Sequence, residues 1–297
     1  MKTLVGAVLA WALVSAAGPA CADAPSALAV RLPADDRVVF RGMVSFDQAG
    51  TGAGAMLYPA PNVAGLLVAV LTHGAVMEAT KNQEKARLQE AADKVLQPYQ
   101  PVLSVLGYRE LLQRALAEAA SAAAFRPAEP GSMPDSDWID MAPVYAMTQD
   151  QRAIVLDNVV AFYAAGNSKT PRYQNTIRVV SRARTEDDPQ THWSAVNGEQ
   201  IRTETAFLLR ESLRIAAADA QRNAAVAEAP QKTYRYPEGS AERIERAGLV
   251  GESCGRLVLR TLRGWMLSVP KRGADSAACT PDAPSVAQSA PTAQAAQ

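Results

Sequence analysis

"IDMAPVYAMTQDQRAIVLDNVVAFYAAGNSKTPRYQNTIRVVSRAR" occupies residues 139–184, and its reading decides the fold. Ile139–Met147, Ala153–Ala164 and Arg172–Arg184 are three runs rich in β-branched and aromatic residues. Such side chains fit a pleated surface, so each run predicts a strand. The connections "TQD" and "AGNSKTP" carry turn residues, which makes the runs successive hairpin strands. In the third run Ile177, Val179, Ser181 and Ala183 alternate with Arg178, Arg182 and Arg184. That period of two predicts a sheet with one covered and one wet face.

Towards the N-terminus, Ala27–Leu32 and Arg37–Phe46 read as two more strands. Asn62 can cap a helix over Val63–Gln97, which Pro98 should end. A second helix is expected from Tyr108 to about Ala124, because Leu111, Leu112, Leu116 and Ala119 recur at helical spacing. Phe125–Trp138 holds three prolines and a glycine and reads as a surface loop. Towards the C-terminus, "EDDPQ" breaks the chain before a helix from about Asn197 to Gln221. Strands then follow in "KTYRY", Arg243–Val250 and "RLVLRTLRGWMLSV", with a kink expected at Gly264.

The order β-β-α-α-β-β-β-α-β-β implies an α+β fold. A mostly antiparallel sheet would carry one long helix and two further helices on one face, with a small C-terminal β segment. The expected division is residues 1–22 as signal peptide, 23–225 as the α+β domain, 231–270 as a C-terminal β segment packed on or extending it, and 271–297 as a disordered tail. The tail is rich in Ala, Ser, Pro and Gln and has too little apolar surface to order itself.

Lys2, the apolar run Leu4–Ala17 and the small residues Ala20-Cys21-Ala22 form the three parts of an export signal, with cleavage near Ala22. This places the protein in the periplasm or outside the cell. Cys254 and Cys279 then form an even pair in an oxidising compartment and are expected to be bridged. Such a loop of roughly 25 residues is worth about 3 kcal/mol in the chain-entropy account. Val63–Met77 is apolar, but its 15 residues fall short of the ~20 that cross a bilayer, so it is expected in the core. A membrane-associated protein anchored by 63–77 is the alternative.

The chain has 48% hydrophobic residues and zero net charge, which gives no general attraction to nucleic acid or anionic membrane. His73 and His192 are its only histidines. The first reads as a packed core residue, the second as a helix-entry residue beside Trp193. "GTGAG" at Gly50–Gly54 lacks the spacing of a dinucleotide fingerprint. Glu186, Asp187 and Asp188 lack the alternating ligands of a calcium loop and read as a solvated turn. No P-loop, H-E-x-x-H, G-x-S-x-G or C-x-x-C occurs, so neither metal nor cofactor is expected.

One feature has a chemical direction. Between Lys232 and Arg272 nine Lys or Arg stand against four Glu, a net of +5, with Tyr234, Tyr236 and Trp265 interleaved. In an exported protein this points to an envelope protein partner or a polyanionic envelope component rather than nucleic acid. Arg235, Arg256, Arg260, Arg263 and Trp265 are the candidate binding residues. The expectation is a non-enzymatic envelope protein. A hydrolase whose site is invisible in sequence is the alternative from another class.

Overall fold

The computed structural model describes residues 27–44, 79–117, 124–167, 169–222, 229–253 and 255–273. The expected export signal, Gly50–Gly54, Val63–Met77 with His73, Cys254, Cys279 and nearly all of the expected tail lie outside them.

The fold is α+β, built on one ten-stranded sheet. Its strands are β1 (Leu28–Arg31), β2 (Val39–Gly42), β3 (Phe125–Ala128), β4 (Trp138–Met147), β5 (Ile154–Tyr163), β6 (Tyr173–Val180), β7 (Gln231–Glu238), β8 (Ala241–Ser253), β9 (Arg256–Thr261) and β10 (Met266–Pro270). The spatial order is β3-β1-β4-β5-β6-β10-β9-β8-β7, and β2 pairs with β4 off this path. The sheet is mixed. Two antiparallel blocks, β4-β5-β6 and β10-β9-β8-β7, meet where β10 runs parallel to β6, and β1, β2 and β3 are added in parallel.

The strands of 139–184 fall where their periodicity places them. The 125–138 segment corrects the loop reading. Phe125–Ala128 forms β3 at the edge of the sheet, with Phe125 buried. Pro127 is tolerated there because an edge strand has a side with no ladder bond to make.

The helices are α1 (Ala79–Asp93), α2 (Gln100–Leu103), α3 (Tyr108–Leu116) and α4 (Pro189–Ala220), with a 3-10 turn over Lys94–Tyr99. Pro98 does not end the helical path. It sits inside the 3-10 turn and the chain continues through α2. The second expected helix stops at Leu116. Among the described residues the longest helix is α4; its main run follows a kink at Ala195–Gly198 and so starts near the expected Asn197, and a short helical segment from Pro189 precedes it. Asp188 caps it, accepting from the Thr191 N–H at 3.2 Å, and proline suits the first helical position because no N–H is needed there.

Between Ala195 and Gly198 the backbone of α4 leaves helical values, and Val196, Asn197 and Gly198 have φ of 49, 56 and 76°. A β-branched residue in this region is strained by about 1–3 kcal/mol. Gly198 is required twice over. Its φ is left-handed, and a Cβ there would lie 2.3 Å from Val102 Cγ2.

The helices cover one face of the sheet. Ile139, Met141, Tyr145, Leu156, Val160, Ile177, Val179 and Met266 meet Leu111, Leu112, Trp193, Leu208, Leu209 and Leu213 in the main core. Full burial of each such side chain contributes about 1.5–3 kcal/mol. Among the described residues, no helix is long and apolar enough to cross a membrane.

The other face holds a second core of Val155, Val180, Tyr236, Ala247, Leu259, Leu267 and Val269. It exists because the sheet curls. A register shift between Leu249 and Gly251 adds local twist. The turn of the β7–β8 hairpin then reaches the β4–β5 turn, where the Asp150 carboxylate accepts from Ser240 N–H, Arg152 N–H and Thr148 hydroxyl.

Candidate functional site

Strand alternation divides the five candidates. In β9, Arg256, Val258 and Arg260 point to the helix side, and Leu257 and Leu259 to the second core. Opposite them, α4 carries Glu204, Glu211 and Asp219 at steps of seven and eight residues, a single face of a helix. Glu204 accepts from Arg184 at 3.0 Å. Glu211 lies 4.0 Å from Arg256 and accepts from the Ser268 hydroxyl at 3.0 Å and from Arg214 at 2.8 Å. Asp219 accepts from Arg260, from the Tyr173 hydroxyl at 2.8 Å and from Asn175 at 3.2 Å.

Arg256 is 5% exposed and spends its donors on Ser268 Oγ (2.9 Å), Ser268 O (3.0 Å) and Val180 O (2.7 Å). Burial pulls its guanidinium below the ordinary arginine value, against the pull of Glu211 and Glu204. Burial also pushes Glu211 up, but hydrogen bonding to Arg214, the charges of Arg214 and Arg256, and the Ser268 hydroxyl outweigh it and hold the carboxyl low. Glu204 stays raised, because burial outweighs Arg184, Arg256 and Arg182.

Arg256, a candidate binding residue from the sequence, is placed between helix and sheet, with its observed hydrogen bonds made inside the protein. Arg260 is half-buried and committed to Asp219 in the same way. The reason is tertiary: basic residues on one face of a strand are solvent-facing only until an acidic helix face lies over them.

Arg235, Arg263 and Trp265 remain outside this arrangement. Arg235 is exposed on β7, 3.5 Å from Glu242 across the hairpin. Arg263 and Trp265 lie in the β9–β10 connection. The kink expected at Gly264 is a hairpin turn, with Gly264 at φ 82° and donating to Thr261 O at 2.9 Å. Thr261 N–H donates to Trp265 O at 2.9 Å, and Asn175 Nδ2 holds the Gly264 carbonyl at 3.0 Å, so the turn is fixed to β6. On this support the Arg263 guanidinium stands 5.7 Å from the centre of the Trp265 ring. Leu262 beside it is 65% exposed. Sequence reading missed Leu262; its signal was "TLRGW" read as a turn tip rather than as a bend inside one strand.

Glu245 lies below the tip. Burial pushes its carboxyl up, and Arg263 and Arg178 pull it down. Arg178, read as wet, is half-buried beneath the curled β7–β8 hairpin and holds Asp157 through two bonds of 2.6 and 2.7 Å. The cluster of Leu262, Arg263 and Trp265 joins an apolar side chain, a planar ring and a stacked guanidinium. Arg and Trp are the side chains most often dominant in binding, because a large rigid area and forked donors are gained for little lost freedom.

The titratable groups offer less to catalysis. His192 Nδ1 is 3.5 Å from Glu186 Oε1, and its ring meets the Trp193 indole edge-on at 5.0 Å. Burial and Arg184 lower its pKa against Glu186. Asp188, from the acidic run beside it, is the cap of α4. Among the described residues, no group of three His, Cys, Asp or Glu side chains is placed to hold a metal ion. Comparison of the chain with protein-family models, with curated proteins and with solved structures finds no match.

Proposed function

We propose that this is an exported, non-enzymatic binding protein of the cell envelope, and that its contact surface is the β9–β10 turn with the strands beside it. The observation that carries the reading is the Leu262–Arg263–Trp265 cluster, an exposed apolar and cationic group on a braced turn. Of the five candidate residues, the cluster keeps Arg263 and Trp265, which α4 does not cover. The pattern at Lys2, Leu4–Ala17 and Ala20-Cys21-Ala22 supports export.

The test is quantitative capture of crosslinked partners from native cells. Trp265→Ala and Arg263→Glu are expected to lose, at least tenfold, a partner that wild type and Lys169→Glu retain. Undiminished capture by both turn variants refutes the reading.

A further inference from the structure

We infer that the partner engages this surface as an added β-strand on the open edge of β7, and that it is an extended acidic segment of another protein. This rests on the binding reading above and names its geometry and chemistry.

Among the described residues β7 ends the sheet and is paired on one side alone, with β8. The pairing Glu238↔Ala241 closes over Gly239-Ser240, with Gly239 at φ 65°. A two-residue hairpin with glycine first is the connection that matches strand twist, and its flanking pair exchanges both ladder bonds. Alternation from that pair turns the N–H and C=O groups of Tyr236, Tyr234 and Lys232 towards β8. Those of Arg235, Thr233 and Gln231 face the open edge. Pro237 also falls on the outward set, where its missing N–H leaves no gap in the β8 ladder. The free edge is thus three residues long, and Gln231, Thr233 and Arg235 are all exposed.

The flanking side chains select the occupant. Lys232 and Arg235 are exposed on opposite faces of β7, Arg246 is exposed across from Thr233, and Ile244, 56% exposed, lies across from Arg235. A second copy of β7 laid antiparallel with Thr233 opposite Thr233 sets Lys232 diagonally beside its own copy and Arg235 opposite Gln231, so neither cation gains an opposite charge. The chain's own residues 274–297 contain two acidic residues, Asp275 and Asp282, among three prolines, a poor strand with little charge to offer. A segment carrying Glu or Asp three residues apart, and so on both of its faces, with β-branched residues between, meets the edge amides and both cations together. The same end of the sheet carries the turn cluster, since Lys232 pairs with Ala247 and Ala247 with Thr261, so an added strand and the turn with Leu262 and Trp265 share one end of the sheet.

Amide exchange of the full chain, read by NMR, tests this. In the free protein the Thr233 and Arg235 amides are expected to exchange fast and those of Tyr234 and Tyr236 slowly. The probe is a capped octapeptide, Glu-Val-Thr-Glu-Val-Thr-Glu-Val, whose acids fall on alternate faces at the spacing of Lys232 and Arg235. It should slow Thr233 and Arg235 at least tenfold, and the same peptide with Lys for Glu, or inorganic polyphosphate, should leave them fast. Thr233→Pro and the milder Arg235→Glu should each abolish or weaken the slowing. Slow Thr233 and Arg235 amides in the free protein overturn the inference. So does equal slowing by the Lys peptide, or binding of the Glu peptide without slowing. Partner capture that depends on Trp265 while the edge amides never slow leaves the binding reading standing and removes only this one.

Discussion

Arg256 and Arg263 are seven residues apart in one short-stranded segment, and they have opposite fates. Arg256 lies under α4, 4.0 Å from Glu211, with its Nε and Nη2 donors directed to Ser268 and Val180 inside the protein. Arg263 stands on a turn tip over an indole. Arg260 and Arg235 repeat the contrast, one held by Asp219 and the other exposed at the rim. Charge along a sequence therefore says little about where charge is offered to a partner. A buried arginine is an element of packing whose desolvation is offset by hydrogen bonds, and an exposed one is loosely held and available.

The contrast is open to attack at several points. Arg256→Ala should have the largest effect, a loss of about 3 kcal/mol in urea unfolding. That is the low end for breaking a buried pair, because Arg214 remains on Glu211. A loss under about 0.5 kcal/mol removes the structural reading of Arg256.

The middle effect is a pH dependence. Partial burial pushes Asp150 up, and hydrogen bonds from Ser240, Thr148 and the Arg152 N–H outweigh it, taking the carboxyl from 3.8 to about 2. A carboxyl lowered in the folded state stabilises fully above its unfolded value, and the contribution disappears as pH falls through the folded one. Wild type should therefore lose stability between about pH 4 and pH 2, and Asp150→Asn should flatten that part of the curve. An unchanged slope means the β7–β8 turn is not held by this carboxylate.

The smallest effect belongs to the exposed pair. Arg235→Ala and Arg263→Ala should change unfolding stability by no more than about 0.5 kcal/mol, because exposed ion pairs contribute little. A large loss in either erases the difference between the two regions.

How much of this was legible before folding varies by element. The strands of 139–184 were, because alternation and turn residues agreed with the tertiary outcome. The main run of α4, after the Asn197-Gly198 kink, was legible from its apolar spacing, but the short helical segment before it was missed although "DDPQT" holds an aspartate cap followed by proline. β3 was hidden by its prolines, which an edge position excuses. Of the candidate site, Arg263 and Trp265 were legible as residue types and Leu262 was not. The assignment of Arg256 and Arg260 could not be read at all, since nothing local to β9 reports acids some 40 to 45 positions earlier.

The sequence by itself determined the class of the fold, the hairpin strands, the main run of the long helix and the concentration of basic and aromatic residues near the C-terminus. These follow from periods of 2 and 3.6 residues and from local backbone preferences. Only the tertiary structure decided that β10 lies beside β6, that the sheet curls over a second core, and which arginines are covered. Those outcomes depend on pairings between residues such as Ile177 and Met266, whose attraction acts across space and leaves no periodic trace along the chain.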